Sequence, residues 1–132
     1  MKKIISYPLI AALLLTNSLI IAAQPLTPER YIRLEMAARQ AALEGAKARL
    51  DQLESANAST TNDDLSAQTH QAISHIYREA GVSPSAALAW ENRNREAIEA
   101  WLQQHPDIHH QYQDLTEDLN ALSALIDAIQ KR

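Results

Sequence analysis

The sequence predicts an all-α protein: a small antiparallel bundle of three or four helices, with long first and last helices of coiled-coil type. Composition is the first reason. Alanine and leucine supply most of the apolar residues, while the 132-residue chain has two glycines, no phenylalanine and no cysteine. Such a composition favours helices, because alanine loses no side-chain entropy in a helix and glycine loses backbone entropy. The length fits a single domain.

The second reason is a periodic apolar pattern at the C-terminal end. Apolar residues between positions 108 and 129 follow one another at spacings of four and three, with polar residues between them. A repeat of this kind gives one long helix an apolar seam and a polar back. The seam consists of Ile108, Tyr112, Leu115, Leu119, Leu122, Ile126 and Ile129.

A similar pattern begins after Thr27 and Pro28, which are typical of a helix start because threonine caps free amide groups and proline fits the first helical position. Gly45 lies within the helix that follows, beside several alanines on one face. Two interpretations of this glycine remain open. It marks a close crossing with another helix, or it is a surface residue tolerated at a cost of about 1 kcal/mol.

Two junctions divide the rest of the chain into helices. Gly81 can end a helix in the left-handed conformation, and Ser83 with Pro84 starts the next one. His105 before Pro106 separates that helix from the last. The expected helices cover residues 28–55, 64–80, 84–104 and 107–130, all within one domain of residues 28–131 that follows a short linker at residues 24–27.

The simplest packing of these elements is an antiparallel bundle in which the first and last helices share the main seam. The alternative is a three-helix fold in which the second and third helices form one bent unit. Both arrangements require each helix to bury a single face.

The first 23 residues are typical of a bacterial secretory signal. Lys2 and Lys3 precede an apolar stretch, and Ala23 offers a small residue for cleavage. We therefore expect a periplasmic mature protein that begins at residue 24. The alternative is an uncleaved anchor in the inner membrane, because residues 4–23 approach the length that spans a bilayer.

The charge of the chain narrows the choice of partners. The whole sequence has a net charge of −4, and removal of Lys2 and Lys3 makes the remainder two charges more negative. An acidic protein is poorly suited to nucleic acid or to an anionic membrane surface. Since no disulfide is possible, core packing or association must hold the exported domain together.

A polar run over residues 91–96 interrupts the apolar pattern of the third helix. Arg93 or Arg95 could bind a carboxylate on a partner, or Glu35 or Glu44 on another helix. The alternative is a solvated face whose charges pair between successive turns of the same helix.

Trp90 and Trp101 are eleven residues apart, about three helical turns, and therefore point in similar directions. Large aromatic side chains anchor cores and interfaces. We expect both in the core, and an exposed one would mark a partner surface.

Four potential metal ligands lie close together in the sequence near the last junction: His105, Asp107, His109 and His110. Histidine and carboxylate groups bind Zn²⁺ and Cu²⁺. The alternative is a set of solvent-exposed residues at a helix start.

No nucleophile elbow, phosphate-binding glycine loop or paired catalytic acids are found in the sequence. We therefore expect a non-enzymatic protein without a cofactor, which binds a partner protein or self-associates as an adaptor, chaperone-like binder or inhibitor. One alternative is a periplasmic metal-binding protein that uses His105 and His109. Another is a small helical enzyme or anionic-ligand binder that uses Arg93 or Arg95 with Arg39.

Overall fold

The computed structural model describes residues 24–55 and 62–131, and it confirms an all-α helical bundle. The helices are α1 (Pro28–Glu54), α2 (Asn62–Glu79), α3 (Pro84–Gln104) and α4 (Pro106–Gln130). The expected signal segment and its cleavage site lie outside the described residues. None of the helices within the described ranges combines the length and the apolar character needed to cross a bilayer.

The helix ends follow from local hydrogen bonding. The Thr27 hydroxyl accepts a 3.2 Å hydrogen bond from the backbone N–H of Arg30, and Ser83 caps α3 in the same way through Ala86 at 3.1 Å. Gly81 has a φ of 69°, a left-handed conformation that glycine adopts without steric cost. These residues fix where α1, α2 and α3 begin or end.

The central element of the bundle is α1, which packs against each of the other three helices. The main core surrounds its first half, where Ile32 is fully buried. Residues of α2 and α3 complete this core, and the partly buried Ile108 and Tyr112 of α4 pack against it. The buried residues are Tyr31, Ile32, Leu34, Ala38, Tyr77, Ala87, Ile98 and Leu102.

The helices α1 and α4 run in the same direction, which corrects the antiparallel arrangement expected for this pair. The guanidinium of Arg39 lies 4.2 Å from the ring centroid of Tyr112. Further along both helices, Lys47 lines the same surface groove as Leu122 and Leu125. Residue numbers therefore rise together along the two helices.

The helix α2 runs antiparallel to α1. Tyr77, near the end of α2, bonds to Glu35 in the first half of α1, whereas Thr69 lies against Gly45 further along α1. Residue numbers along α2 therefore fall as those along α1 rise.

The parallel course of α4 follows from a bend in α3. The backbone leaves helical geometry at Asn94 (φ −123°, ψ 18°), and the Asn94 amide donates a 2.7 Å hydrogen bond to the carbonyl of Trp90. Such side-chain bonding competes with the helix ladder. Ala87 before the bend and Ile98 after it are both buried around the first half of α1. Since α3 begins and ends at this side of the bundle, α4 starts there too.

Candidate functional site

The second half of α1 carries an open cleft between α2 and α4, which we call the α2–α4 cleft. It has a volume of about 380 Å³. The small residues Ala42, Gly45 and Ala46 of α1 line it together with apolar residues of the flanking helices, notably Leu65, Leu119 and Ile126. The cleft exists because α3 stays at the other end of the bundle and leaves this part of α1 uncovered.

Gly45 on α1 lies in close contact with Thr69 of α2 beside the cleft. A Cβ atom built on Gly45 would overlap Thr69 Oγ1 and lie 2.8 Å from Thr69 Cγ2, closer than carbon atoms approach. The Thr69 hydroxyl is itself held by a 2.9 Å hydrogen bond to the carbonyl of Leu65. Of the two interpretations of this glycine, the close crossing is therefore the correct one.

Arg49 is the principal charged group that lines the cleft from α1. Its Nε atom is buried and has no hydrogen-bond partner, and Arg49 forms no ion pair with another described residue. His70 and Asp127 line the cleft from α2 and α4 and are exposed. The cleft is thus mostly apolar, with an arginine N–H on α1 that lacks a partner and an exposed carboxylate on α4.

A second polar assembly, which we call the tyrosine cluster, lies at the other end of the bundle and contains groups from all four helices. The Tyr77 hydroxyl donates a 2.6 Å hydrogen bond to Glu35, and the Tyr31 hydroxyl donates a 2.8 Å hydrogen bond to Glu91. Arg39 pairs with Glu35 at 3.2 Å. The cluster consists of Tyr31, Glu35, Arg39, Tyr77, Glu91 and Tyr112.

Burial is the main cause that raises the pKa of Tyr31, Tyr77 and Tyr112 above the ordinary value of 10.0. The hydrogen bonds to Glu91 and Glu35 raise the pKa of Tyr31 and Tyr77 further, because these carboxylates bind the neutral phenol and repel its anion. The phenols therefore stay protonated and act as hydrogen-bond donors. Their role in this arrangement is to hold the carboxylates and the helices in register.

The arginines of the third helix do not reach the acidic residues considered for them. Arg93 and Arg95 are exposed, and Arg95 bonds to Asn92 at 3.2 Å. Arg39 faces Glu35 and Tyr112 instead of joining Arg93 and Arg95.

The acidic residues have other partners. Glu44 accepts a hydrogen bond from Gln40 at 3.0 Å, and Glu91 accepts one from Tyr31. Glu35 accepts a hydrogen bond from Tyr77 and forms an ion pair with Arg39. None of these three carboxylates therefore pairs with Arg93 or Arg95.

The two tryptophans lie at the edge of the main core. Both are partly buried and packed against it. The Trp90 ring centroid is 5.6 Å from that of Tyr31, and Trp101 stacks on His105 with centroids 4.0 Å apart. Neither tryptophan is an exposed anchor.

The four potential metal ligands near the last junction are not brought together. His105 Nδ1 hydrogen-bonds to the carbonyl of Trp101 at 2.7 Å, and His110 pairs with Asp114 at 3.4 Å. Within residues 24–55 and 62–131, no group of three histidine or acidic residues is arranged to hold a metal ion. Asp107 is exposed and His109 is partly buried on the same helix.

The sequence pattern did not single out Arg49. Its position next to the small face that contains Gly45 was the available signal, because a charged group beside a helix crossing is forced towards the edge of the contact. No pattern in the sequence predicts the hydrogen bonds of the tyrosine cluster, because these bonds depend on the register of four helices.

Comparison of the chain with protein-family models, curated proteins and solved structures finds no match.

Proposed function

We propose that this chain is an exported, non-enzymatic accessory protein that binds a helix of a partner protein in the α2–α4 cleft. The observation that carries the proposal is the uncovered stretch of α1 between α2 and α4, where a further helix of a complete bundle would lie. Export to the periplasm is proposed from the signal-like sequence of the first 23 residues.

The dimensions of the cleft favour the side chains of a helix as its occupant. Its volume of about 380 Å³ accommodates several side chains but not a whole helix. Ala42 and Ala46 have small side chains, so the partner's side chains can approach α1 closely beside the contact between Gly45 and Thr69. Recognition of an amphipathic helix by an apolar groove uses this geometry.

The charges of the cleft suggest which helix it binds. The buried Nε–H of Arg49 lacks an acceptor, and a carboxylate can bind an arginine through two parallel hydrogen bonds. Asp127, which lines the cleft from α4, repels a second carboxylate of the partner. The partner helix should therefore combine an apolar stripe with an acidic residue at Arg49 and a neutral or basic residue at Asp127.

The proposal is tested by filling the cleft. Ser123 is exposed and lines the cleft, so Ser123→Trp places a large side chain in it without disturbing the main core. We expect immobilised wild-type protein to retain a specific protein from a periplasmic extract, and Ser123→Trp to lose it. Circular dichroism verifies that the variant keeps its helices.

The adjacent residue provides a matched control. Ala124 is exposed on α4 and does not line the cleft, so Ala124→Trp should retain the same protein as the wild type. Equal retention by Ser123→Trp and Ala124→Trp, or no retained protein with any variant, would contradict the proposal.

A further inference from the structure

A second apolar surface lies on a different side of the α1 and α4 pair, and we call it the leucine face. Its exposed apolar residues are Ala121 and Leu125, the latter 46% exposed, and beneath them lie the partly buried Leu122 and the buried Leu43. The surface forms a groove of about 380 Å³ that shares no lining residue with the α2–α4 cleft. One exposed leucine is ordinary on a soluble protein, but a continuous apolar groove indicates an interaction surface.

The charges beside the leucine face are complementary to each other. Lys47 lines it from α1 and Asp118 lines it from α4, and both are exposed. Neither residue forms an ion pair with another described residue. The face therefore carries an apolar centre with one unpaired positive charge and one unpaired negative charge on different helices.

This arrangement matches itself under a two-fold rotation. In a symmetric dimer the same patch of both subunits forms the contact, so each residue i that meets residue j is repeated as j meeting i. A two-fold axis that lies in the contact plane and runs parallel to α1 and α4 places the α1 side of one copy against the α4 side of the other. Lys47 of each copy then faces Asp118 of the other, and the two Leu125 side chains lie near the axis.

We propose that a second copy of this chain docks on the leucine face and forms a two-fold symmetric dimer. The charges favour this occupant, because a second copy brings both signs of charge in the complementary places, whereas a partner with a single sign would leave Lys47 or Asp118 facing a like charge. The dimer leaves the α2–α4 cleft uncovered, so it is independent of the helix-binding function.

The test is the mass in solution by light scattering over a series of protein concentrations, with charge reversals at the two positions. We expect the wild-type protein to reach twice the mass of one chain as concentration rises. Lys47→Glu and Asp118→Lys should each stay at the mass of one chain, because each variant places like charges at both contacts of its dimer. An equimolar mixture of the two variants should recover the doubled mass, since every contact then joins opposite charges.

Glu117→Lys is the matched control, because Glu117 is the exposed neighbour of Asp118 and does not line the leucine face. It should dimerise like the wild type. Circular dichroism of each variant shows that the helices are retained. A wild-type protein that stays at the mass of one chain at all concentrations, or a mixture that fails to recover the doubled mass, would overturn the proposal.

Discussion

The hydroxyl of Tyr77 on α2 donates a 2.6 Å hydrogen bond to Oε1 of Glu35 on α1. The other oxygen of the same carboxylate receives Arg39 at 3.2 Å, and Arg39 in turn lies over the ring of Tyr112 on α4. One carboxylate thus links α2, through α1, to α4. Hydrogen bonds in such a chain strengthen one another in a partly buried environment.

Replacement of Tyr77 by phenylalanine should lower the free energy of unfolding by about 1–2 kcal/mol, because it removes the hydrogen bond and leaves the Glu35 carboxylate with one partner fewer. The ring remains, so the packing of this buried position is kept. Urea denaturation followed by circular dichroism measures the effect. Unchanged stability would show that water replaces the phenol at Glu35 without cost.

Arg39→Leu should destabilise the bundle by about 1–2 kcal/mol, since it removes a cation–π contact and an ion pair that are partly shielded from solvent. The Arg39 and Glu35 side chains are only 24% and 17% exposed. Arg33→Leu is the matched control, because Arg33 pairs with Glu29 across the same spacing with both side chains more than half exposed. We expect the control to change stability by less than about 0.5 kcal/mol; equal effects at the two positions would show that burial does not strengthen the Arg39 pair.

Gly45→Ala should reduce stability even though alanine is the better helix former. The preference for alanine is worth about 1 kcal/mol, whereas forcing a methyl group against Thr69 costs about 1–3 kcal/mol. We therefore expect a net loss in thermal or urea denaturation. The Thr69→Ala background removes Oγ1 and Cγ2 and leaves only the Cβ atom, 3.0 Å from the new methyl group, so the same substitution should cost clearly less stability there.

A double-mutant cycle of Gly45→Ala with Thr69→Ala isolates the clash from the change in propensity. Ala48→Gly on the exposed side of the same helix measures propensity alone and should lose about 1 kcal/mol. Additive effects of Gly45→Ala and Thr69→Ala would mean that the two helices separate freely at this point.

The fold class was accessible from the sequence because helix signals are local. Composition and the apolar repeats indicated helices, and Thr27, Ser83 and Gly81 act through neighbours within a few residues of the chain. These local signals do not determine the direction in which each helix runs relative to the others. The bend at Asn94 lies in the polar run of α3, which offered no apolar pattern to place it, and this bend reverses the expected direction of α4. The coiled-coil pairing of the first and last helices stays a prediction.

The candidate site was less accessible, because it depends on what the helices leave uncovered. The small residues around Gly45 suggested a close neighbouring helix. Whether Gly45 contacts such a helix or lies at the surface depends on the position of α2, which the sequence does not give. In the same way, Glu35 was considered as a partner for Arg93 or Arg95, whereas the helix register gives it Tyr77 and Arg39. Partners in space are set by register, and register is not a local property.

Stability should fall as the pH rises above about 10, the value at which tyrosines of the unfolded chain ionise. The pKa values of Tyr31, Tyr77 and Tyr112 are raised in the folded state, chiefly by burial. Above that pH the folded chain therefore holds more protons than the unfolded chain, and the free energy of unfolding decreases with pH. The contribution of these tyrosines is complete below about pH 10 and is lost as the pH rises through their folded values. Urea denaturation at several pH values above neutrality measures the slope.

Variants can separate the contribution of the tyrosines to this pH dependence of stability from the contributions of other titrating groups. Tyr31→Phe and Tyr77→Phe each remove one raised pKa, so each variant should lose less stability between neutral and alkaline pH than the wild type. Lysines titrate in the same range, but they are common to all three proteins and cancel in the comparison. In the Tyr7→Phe background, which leaves Tyr31, Tyr77 and Tyr112 as the only tyrosines of the chain, ultraviolet absorbance should show that tyrosinate forms together with the loss of helix. Identical slopes in all three proteins, or tyrosinate that forms in this background while the helices persist, would show that the hydroxyls are not held by Glu91 and Glu35 in solution.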